Sequence, residues 1–135
     1  MAKYRTEGID PVGLKNTAGT QIDPATEETL LDILAALGGG GYTTIADGNK
    51  DVTLAGTAEK LIASATPCRK VTITANIDNS DYVVVGGSTV VAAVAGRRGT
   101  PLVQGQSFDV LIDDASKIYL DVVSSGDGVT YTYLN

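Results

Sequence analysis

From residue 52 to the end of the chain, apolar residues recur at every second position in short runs separated by turn-forming residues. A period of two places successive side chains on opposite faces of a strand, so each run predicts a strand with one buried face. Four runs show this alternation: Val52 with Leu54; Val71, Ile73, Ala75 and Ile77; Phe108, Val110 and Ile112; and Val129, Tyr131 and Tyr133. They predict a mainly β fold, an antiparallel β-sandwich or jelly-roll-like domain of about eight strands.

Two further apolar runs lack the alternation. Residues 82–85 and 89–94 are rich in Val and Ala, and Gly86, Gly87 and Ser88 stand between them. Glycines in this position favour a tight turn, so the two runs are predicted to form a hairpin. A mixed strand is predicted at residues 117–123.

A helix is predicted ahead of the strand domain, over residues 24–37. Asp23 stands at the N-cap position and Pro24 at the first helical position, and Glu27 and Glu28 follow in the first turn. These residues favour a helix start, and the two acids complement the helix dipole. The helix carries an apolar stripe that ends at a run of glycines: Leu30, Ile33, Leu34 and Leu37, then residues 38–41. A helix of this length is marginal alone, so we expect the stripe to contact other copies or a partner.

The first 22 residues show neither helical nor strand periodicity. Their apolar residues are scattered among glycines and a proline: Ile9, Val12, Leu14 and Ile22. Such a segment is either disordered or an arm that these anchors order against another surface. The chain is therefore expected to comprise an extended N-terminal arm (1–22), a short helix with a glycine-rich hinge (23–41) and the strand domain (42–135).

The composition excludes several classes of function. The chain has no His and one Cys, so it lacks a His-dependent nucleophile, a His-ligated zinc site and an internal disulfide. Its 16 Asp and Glu outnumber its 10 Lys and Arg, and the net charge of −6 argues against a nucleic-acid partner. No apolar run resembles a secretory signal or reaches membrane-spanning length. We expect a non-enzymatic protein with no cofactor, metal, nucleic-acid or membrane partner, which works in the compartment where it is made or in an assembly built there.

Three acidic or thiol features have alternative interpretations. Asp113 and Asp114 are adjacent, so on a strand they would point to opposite faces, and a turn is favoured over half of a catalytic dyad. The loop at 76–81 is rich in oxygen ligands but lacks the spacing of a calcium loop, which again favours a turn over a metal site. Cys68 follows Pro67 at the start of a strand and is interpreted as a buried, inert thiol.

A basic pair and a set of tyrosines are the remaining candidates. Arg97 and Arg98 stand between two glycines, where they form either a loop that docks on an acidic partner or an ordinary solvated turn. Four tyrosines at strand spacing are interpreted as half-buried wall residues or, alternatively, as sugar-stacking platforms: Tyr82, Tyr119, Tyr131 and Tyr133.

Two parts of the chain carry a family resemblance. Residues 16–31 read Asn-Thr-Ala-Gly-Thr-Gln-Ile-Asp-Pro-Ala-Thr-Glu-Glu-Thr-Leu-Leu and resemble the N-terminal stretch of small virion proteins of tailed bacteriophages. Downstream, a series of segments is similar to a phage β-sandwich module of capsid-decoration (cement) and fibre-like proteins: 56–61, 68–75, 82–86, 105–108 and 117–120.

The resemblance implies a structural role in the virion. It suggests a decoration protein that sits on the outer capsid as a homotrimer, with the major capsid protein as its partner. Residues 1–22 would be the arm, the helix at 24–37 an oligomer or capsid contact, and the strand domain an outward knob. The alternative is a tail, collar or fibre-associated adaptor, or a glycan- or host-binding module.

Overall fold

The computed structural model describes residues 41–135, and the regular secondary structure of this part of the chain is almost entirely β-strand. Eight strands follow one another in the described residues: β1 (Ile45–Asp51), β2 (Glu59–Lys60), β3 (Lys70–Ala75), β4 (Val83–Gly86), β5 (Thr100–Leu102), β6 (Ser107–Leu111), β7 (Tyr119–Val122) and β8 (Gly128–Leu134). The helical content of this region is two single 3-10 turns, Val94–Gly96 and Ala115–Lys117. The prediction of a mainly β chain is confirmed.

The strands form two four-stranded antiparallel sheets. The first sheet has the order β1-β8-β3-β6, and the second has the order β2-β7-β4-β5. The pairing is nested, because β1 pairs with β8, β2 with β7, β3 with β6 and β4 with β5. Two additional pairs, β3 with β8 and β4 with β7, join these hairpin-like pairs into the sheets. The prediction of antiparallel pairing is therefore also confirmed.

Both sheets contribute to one hydrophobic core. In β3 the alternation is strict: Val71, Ile73 and Ala75 are fully buried, while the residues between them are only half-buried. These side chains belong to the same cluster as Val83 and Val85 of β4. Burial of each such aliphatic side chain contributes about 1.5–3 kcal/mol to folding. Period-two alternation in the first sheet is thus the signature of its single buried face.

The predicted hairpin between residues 82–85 and 89–94 is wrong. The first run is β4, but the partner of β4 is β5, and residues 89–94 lie in the long loop between these strands. Val90 and Ala92 of that loop are buried in a second, smaller cluster with Val84 of β4. The loop is apolar because it packs on the sheet, which produces the same composition as a buried strand.

Two further strand predictions are wrong. No strand forms at Val52 and Leu54: β1 ends at Asp51, Val52 is buried just beyond it, and Leu54 is 60% exposed. The strand expected to include Ile77 ends at Ala75, and Ile77 is 84% exposed. β1 escaped detection because it is an edge strand with few apolar residues on either face.

Several predictions concern residues outside the described part of the chain. These are the arm at 1–22 with Ile9, Val12, Leu14 and Ile22, and the helix at 24–37 with Leu30, Ile33, Leu34 and Leu37. Within residues 41–135, no helix is long and apolar enough to cross a membrane.

Candidate functional site

The basic pair predicted as a docking element lies in the loop between β4 and β5. We call residues 87–99 the covering loop, because Val90 and Ala92 within it cover the outer face of β4. Arg97 and Arg98 are both exposed near its end. The backbones of Arg98 and Val91 exchange two hydrogen bonds, of 2.9 and 3.1 Å, and form an isolated antiparallel bridge across the loop.

The Arg97 side chain is held in place by Tyr82. Its guanidinium lies 4.3 Å from the centre of the tyrosine ring, and Nη2 donates a 2.6 Å hydrogen bond to the tyrosine hydroxyl. That hydroxyl in turn donates to the backbone carbonyl of Ala92, at 2.8 Å. Stacking on an aromatic ring orders an arginine while leaving most of its donors available. The geometry therefore presents a fixed positive charge at the surface of the second sheet.

Two further residues anchor the covering loop to the sheet below it. Asp121 of β7 is 1% exposed, and its carboxylate accepts hydrogen bonds from the backbone N–H groups of Ala92 and Gly56, at 2.7 and 2.8 Å. Gly99 has a φ of +113°, and a Cβ there would lie 2.6 Å from the carbonyl oxygen of Val85. A buried carboxylate and a close backbone approach together fix the loop.

The tyrosines are half-buried, as predicted for wall residues. Tyr131 and Tyr133 pack against the main core, and Tyr82 and Tyr119 pack against the smaller cluster. Burial raises the pKa of Tyr131, and the nearby Tyr133 and Asp47 act in the same direction. The Tyr82 ring is already covered on one face by Arg97.

The loop at 76–81 is a turn held by hydrogen bonds between side chains and the backbone. The Asn79 side chain makes two bonds of 2.8 Å with the backbone of Gly128, donating through its amide nitrogen and accepting through its oxygen. Asp127 accepts from the backbone N–H groups of Ser80 and Asp81, at 2.7 and 2.8 Å. Among residues 41–135, no three His, Cys, Asp or Glu side chains converge in a metal-binding group.

Asp113 and Asp114 lie in the connection between β6 and β7, where Asp113 is at a bend and Asp114 forms an isolated antiparallel bridge with Pro67. Asp114 caps the second 3-10 turn by accepting from the N–H of Ser116, and it also accepts from the N–H of Thr66. These two bonds hold the pKa of Asp114 below its ordinary value, and the bond from Thr66 has the larger effect. Asp113 forms an ion pair with Lys117, and the hydrogen bond from that ammonium lowers the pKa of Asp113.

Cys68 is buried, as predicted. It is 5% exposed, and its Sγ lies 3.4 Å from the carbonyl oxygen of Ile112. Burial raises the pKa of the thiol, and the charge of Asp114 acts in the same direction. A raised pKa keeps the group in its less reactive, protonated form.

The sequence interpretation missed a polar surface on the outer face of the first sheet. Strand register places Asp47, Thr132, Thr72 and Asp109 in one row across the four strands, and Asn49, Thr130, Thr74 and Ser107 in the next. We call these eight residues the threonine face. The signal in the sequence is the repeated Thr-x-Thr at 72–74 and 130–132, but nothing in either segment indicates that the two strands are neighbours.

Comparison with known proteins finds no matching family model, no matching curated protein and no matching solved structure.

Proposed function

We propose that this protein is a structural subunit of a bacteriophage virion, a decoration protein that binds the outer capsid surface as a homotrimer and stabilises the head. The observation that carries the proposal is the nested order of the eight strands. It agrees with the resemblance of the sequence to phage decoration and fibre-like modules.

The nested order favours a jelly-roll sandwich. A long hairpin of eight strands contains the pairs β1·β8, β2·β7, β3·β6 and β4·β5. When such a hairpin wraps around a core, β8 comes to lie beside β3, and β7 beside β4, which are the remaining observed pairs. Jelly rolls of this kind recur in viral capsid and lectin domains. The step from this fold to a role in the virion is an analogy, because one fold hosts many functions. The resemblance of the sequence to phage proteins favours the virion among the possible roles.

The covering loop supplies the contact with the capsid in this proposal. Arg97 is preorganised on Tyr82, and Arg98, the next residue in the chain, is also exposed. Ordering the side chain before binding reduces the entropy lost when the complex forms. A paired positive charge of this kind fits an acidic patch of a coat subunit and fixes the orientation of docking.

The N-terminal residues complete the proposed assembly. The stripe formed by Leu30, Ile33, Leu34 and Leu37 would pair copies of the protein, and residues 1–22 would lie across neighbouring coat subunits. Deleting residues 1–22 is expected to leave a folded strand domain that no longer pellets with capsids.

The test is co-sedimentation of the full-length protein with purified capsids that lack a decoration protein. The wild type is expected to pellet with them, and the double variant Arg97→Glu/Arg98→Glu to lose binding by tenfold or more, about 1.4 kcal/mol. The matched control is Lys60→Glu, an exposed charge on β2 at the opposite edge of the second sheet. Failure of the wild type to pellet with capsids would contradict the decoration role.

Electron microscopy of intact particles separates decoration from the alternative. Density for the protein on the tail, collar or fibres, with none on the capsid surface, would favour an adaptor or a host-binding module.

A further inference from the structure

We propose that the threonine face binds a neutral sugar. This inference concerns a surface on the first sheet and does not depend on the capsid contact proposed for the second. It rests on the hydrogen-bonding state of the eight residues, on the shape of the trough above them and on their charge.

The two halves of the threonine face differ in their hydrogen bonding. On the β3·β6 half, Thr72 donates to Asp109 at 2.6 Å, and the hydroxyls of Thr74 and Ser107 are 2.7 Å apart. Lys70 also forms a 3.1 Å ion pair with Asp109. The polar groups of this half are therefore largely satisfied by one another.

On the β1·β8 half the polar groups have no such partners. Asp47 lies opposite Thr132, and Asn49 lies opposite Thr130. Among residues 41–135 no hydrogen bond or ion pair engages these four side chains, and all four residues are exposed. Together they offer a carboxylate, an amide and two hydroxyls, a mixture of donors and acceptors on two adjacent strands.

A trough of about 290 Å³ lies over adjoining parts of β1, β8 and β3, and Asn49 is not part of its lining. Its lining consists of Asp47, Gly48, Thr72, Thr74, Thr130, Tyr131 and Thr132. This volume is close to the lower limit for small-molecule sites, and it is sufficient to contact one sugar ring.

The charge of the lining selects a neutral ligand. Asp47 is its only charged group, so it contains no cation that would attract a phosphate or a carboxylate. A single carboxylate accepts strong, charge-assisted hydrogen bonds from sugar hydroxyls. The threonine methyl groups supply apolar surface between the hydroxyls, which suits the C–H groups of a pyranose ring.

The spacing of the face also suits a ring with hydroxyls around its rim. Neighbouring strands are about 4.8 Å apart, and side chains two residues apart on a strand are separated by about 6.8 Å. Side chains at these intervals reach opposite sides of one pyranose, so several hydroxyls are bound at once.

The test is a titration of the ¹⁵N-labelled full-length protein, followed by NMR, with four sugars: methyl α-D-glucopyranoside, methyl β-D-galactopyranoside, N-acetyl-D-glucosamine and L-rhamnose. We expect saturable shifts of the backbone amides at 47–49 and 130–132 for at least one sugar, with a dissociation constant of about 1 mM. Thr132→Val removes a hydroxyl without changing shape, and Asp47→Ala removes the carboxylate; each is expected to weaken binding about tenfold.

Two controls separate this site from an effect on folding. Thr57→Val removes the hydroxyl of an exposed threonine between β1 and β2, outside the threonine face, and should leave affinity within about twofold of the wild type. Thr132→Ser keeps the hydroxyl and should retain binding. The proposal is overturned if none of the sugars causes saturable shifts up to about 50 mM. It is equally overturned if the shifts map elsewhere, or if Thr132→Val abolishes capsid co-sedimentation, which would make the face a protein contact.

Discussion

The outer faces of the two sheets have opposite environments. On the second sheet, Val84 is completely buried beneath Val90 and Ala92 of the covering loop. On the first sheet, the corresponding outward positions of β3 and β8 are threonines that remain half-buried or exposed. The central strands of the second sheet are thus covered on both faces, and the first sheet is covered on one.

This difference explains the two kinds of apolar pattern in the sequence. A strand with one buried face alternates between apolar and polar residues, as β3 does, whereas a strand buried on both faces is a continuous apolar run, as Val83, Val84 and Val85 are. The apolar loop that contains residues 89–94 packs on the outer face of that run. A continuous run therefore indicates two packing partners for one strand, of which the second need not be another strand.

We expect the largest effect from removal of the Asp121 side chain, which anchors the covering loop. Asp121→Ala leaves the buried N–H groups of Ala92 and Val122 without their side-chain acceptor and also removes the bond from Gly56; it should lower the free energy of unfolding by about 3 kcal/mol or more. Urea unfolding followed by circular dichroism measures this loss, and Asp121→Asn, which keeps one acceptor oxygen, should lose less.

The matched control is Asp109→Ala, on the exposed outer face of the first sheet. Asp109 lies opposite Thr72 as Asp121 lies opposite Val84, but its side chain is 55% exposed. Its removal should leave the unfolding midpoint nearly unchanged, because water replaces the lost contacts. Equal losses for the two variants would contradict the distinction between a covered and an open sheet.

A second test concerns the close approach of the covering loop to β4. Gly99→Ala places a Cβ 2.6 Å from the carbonyl oxygen of Val85 and 2.8 Å from Cγ1 of Val84, at a positive φ. We expect a loss of about 2–3 kcal/mol in thermal or urea unfolding. Gly87→Ala at the other end of the loop meets no atom within 4 Å and should change stability by less than about 0.5 kcal/mol. A tolerated Gly99→Ala would mean that the loop does not lie tightly on the sheet.

An exchange of isosteric residues gives a smaller effect. Val84→Thr buries a hydroxyl under the covering loop and should cost about 1–2 kcal/mol. The reverse change on the open sheet, Thr130→Val, removes an exposed hydroxyl and should alter stability by at most about 0.5 kcal/mol. Unfolding free energies from urea titration decide the point, and similar values for both substitutions would show that the two outer faces are equally solvated.

The smallest expected effect is on the pKa of Asp109, which lies on the exposed outer face of the first sheet. The hydrogen bond from Thr72, and then that from Lys70, lower the pKa of Asp109 in the folded state. The associated stability is present above the unfolded pKa of about 3.9 and is lost as the pH falls through the lower folded pKa. Thr72→Val should therefore raise the pKa of Asp109, measured by NMR of the carboxyl carbon, and Lys70→Met should raise it less. An unchanged pKa in Thr72→Val would contradict the role of this hydrogen bond.

Local features of the fold were predictable because their causes are local. The alternation of Val71, Ile73 and Ala75 requires only a strand with one buried face, whichever strands lie beside it. Asp113 and Asp114 were assigned to a turn from residue type, and Asp114 does cap a 3-10 turn with its own carboxylate. Cys68 and the four tyrosines also lie where their side-chain chemistry indicated.

The sequence by itself determined the class of the fold, the antiparallel pairing and the half-buried character of most strands, because these follow from side-chain period and turn chemistry. The order of the strands, the role of residues 89–94 and the threonine face were decided only by tertiary structure. Each depends on which distant segments meet. Thr72 and Thr132 are about 60 residues apart in the chain, and they become neighbours because β3 pairs with β8. Such long-range contacts leave no periodic pattern in the sequence of either segment.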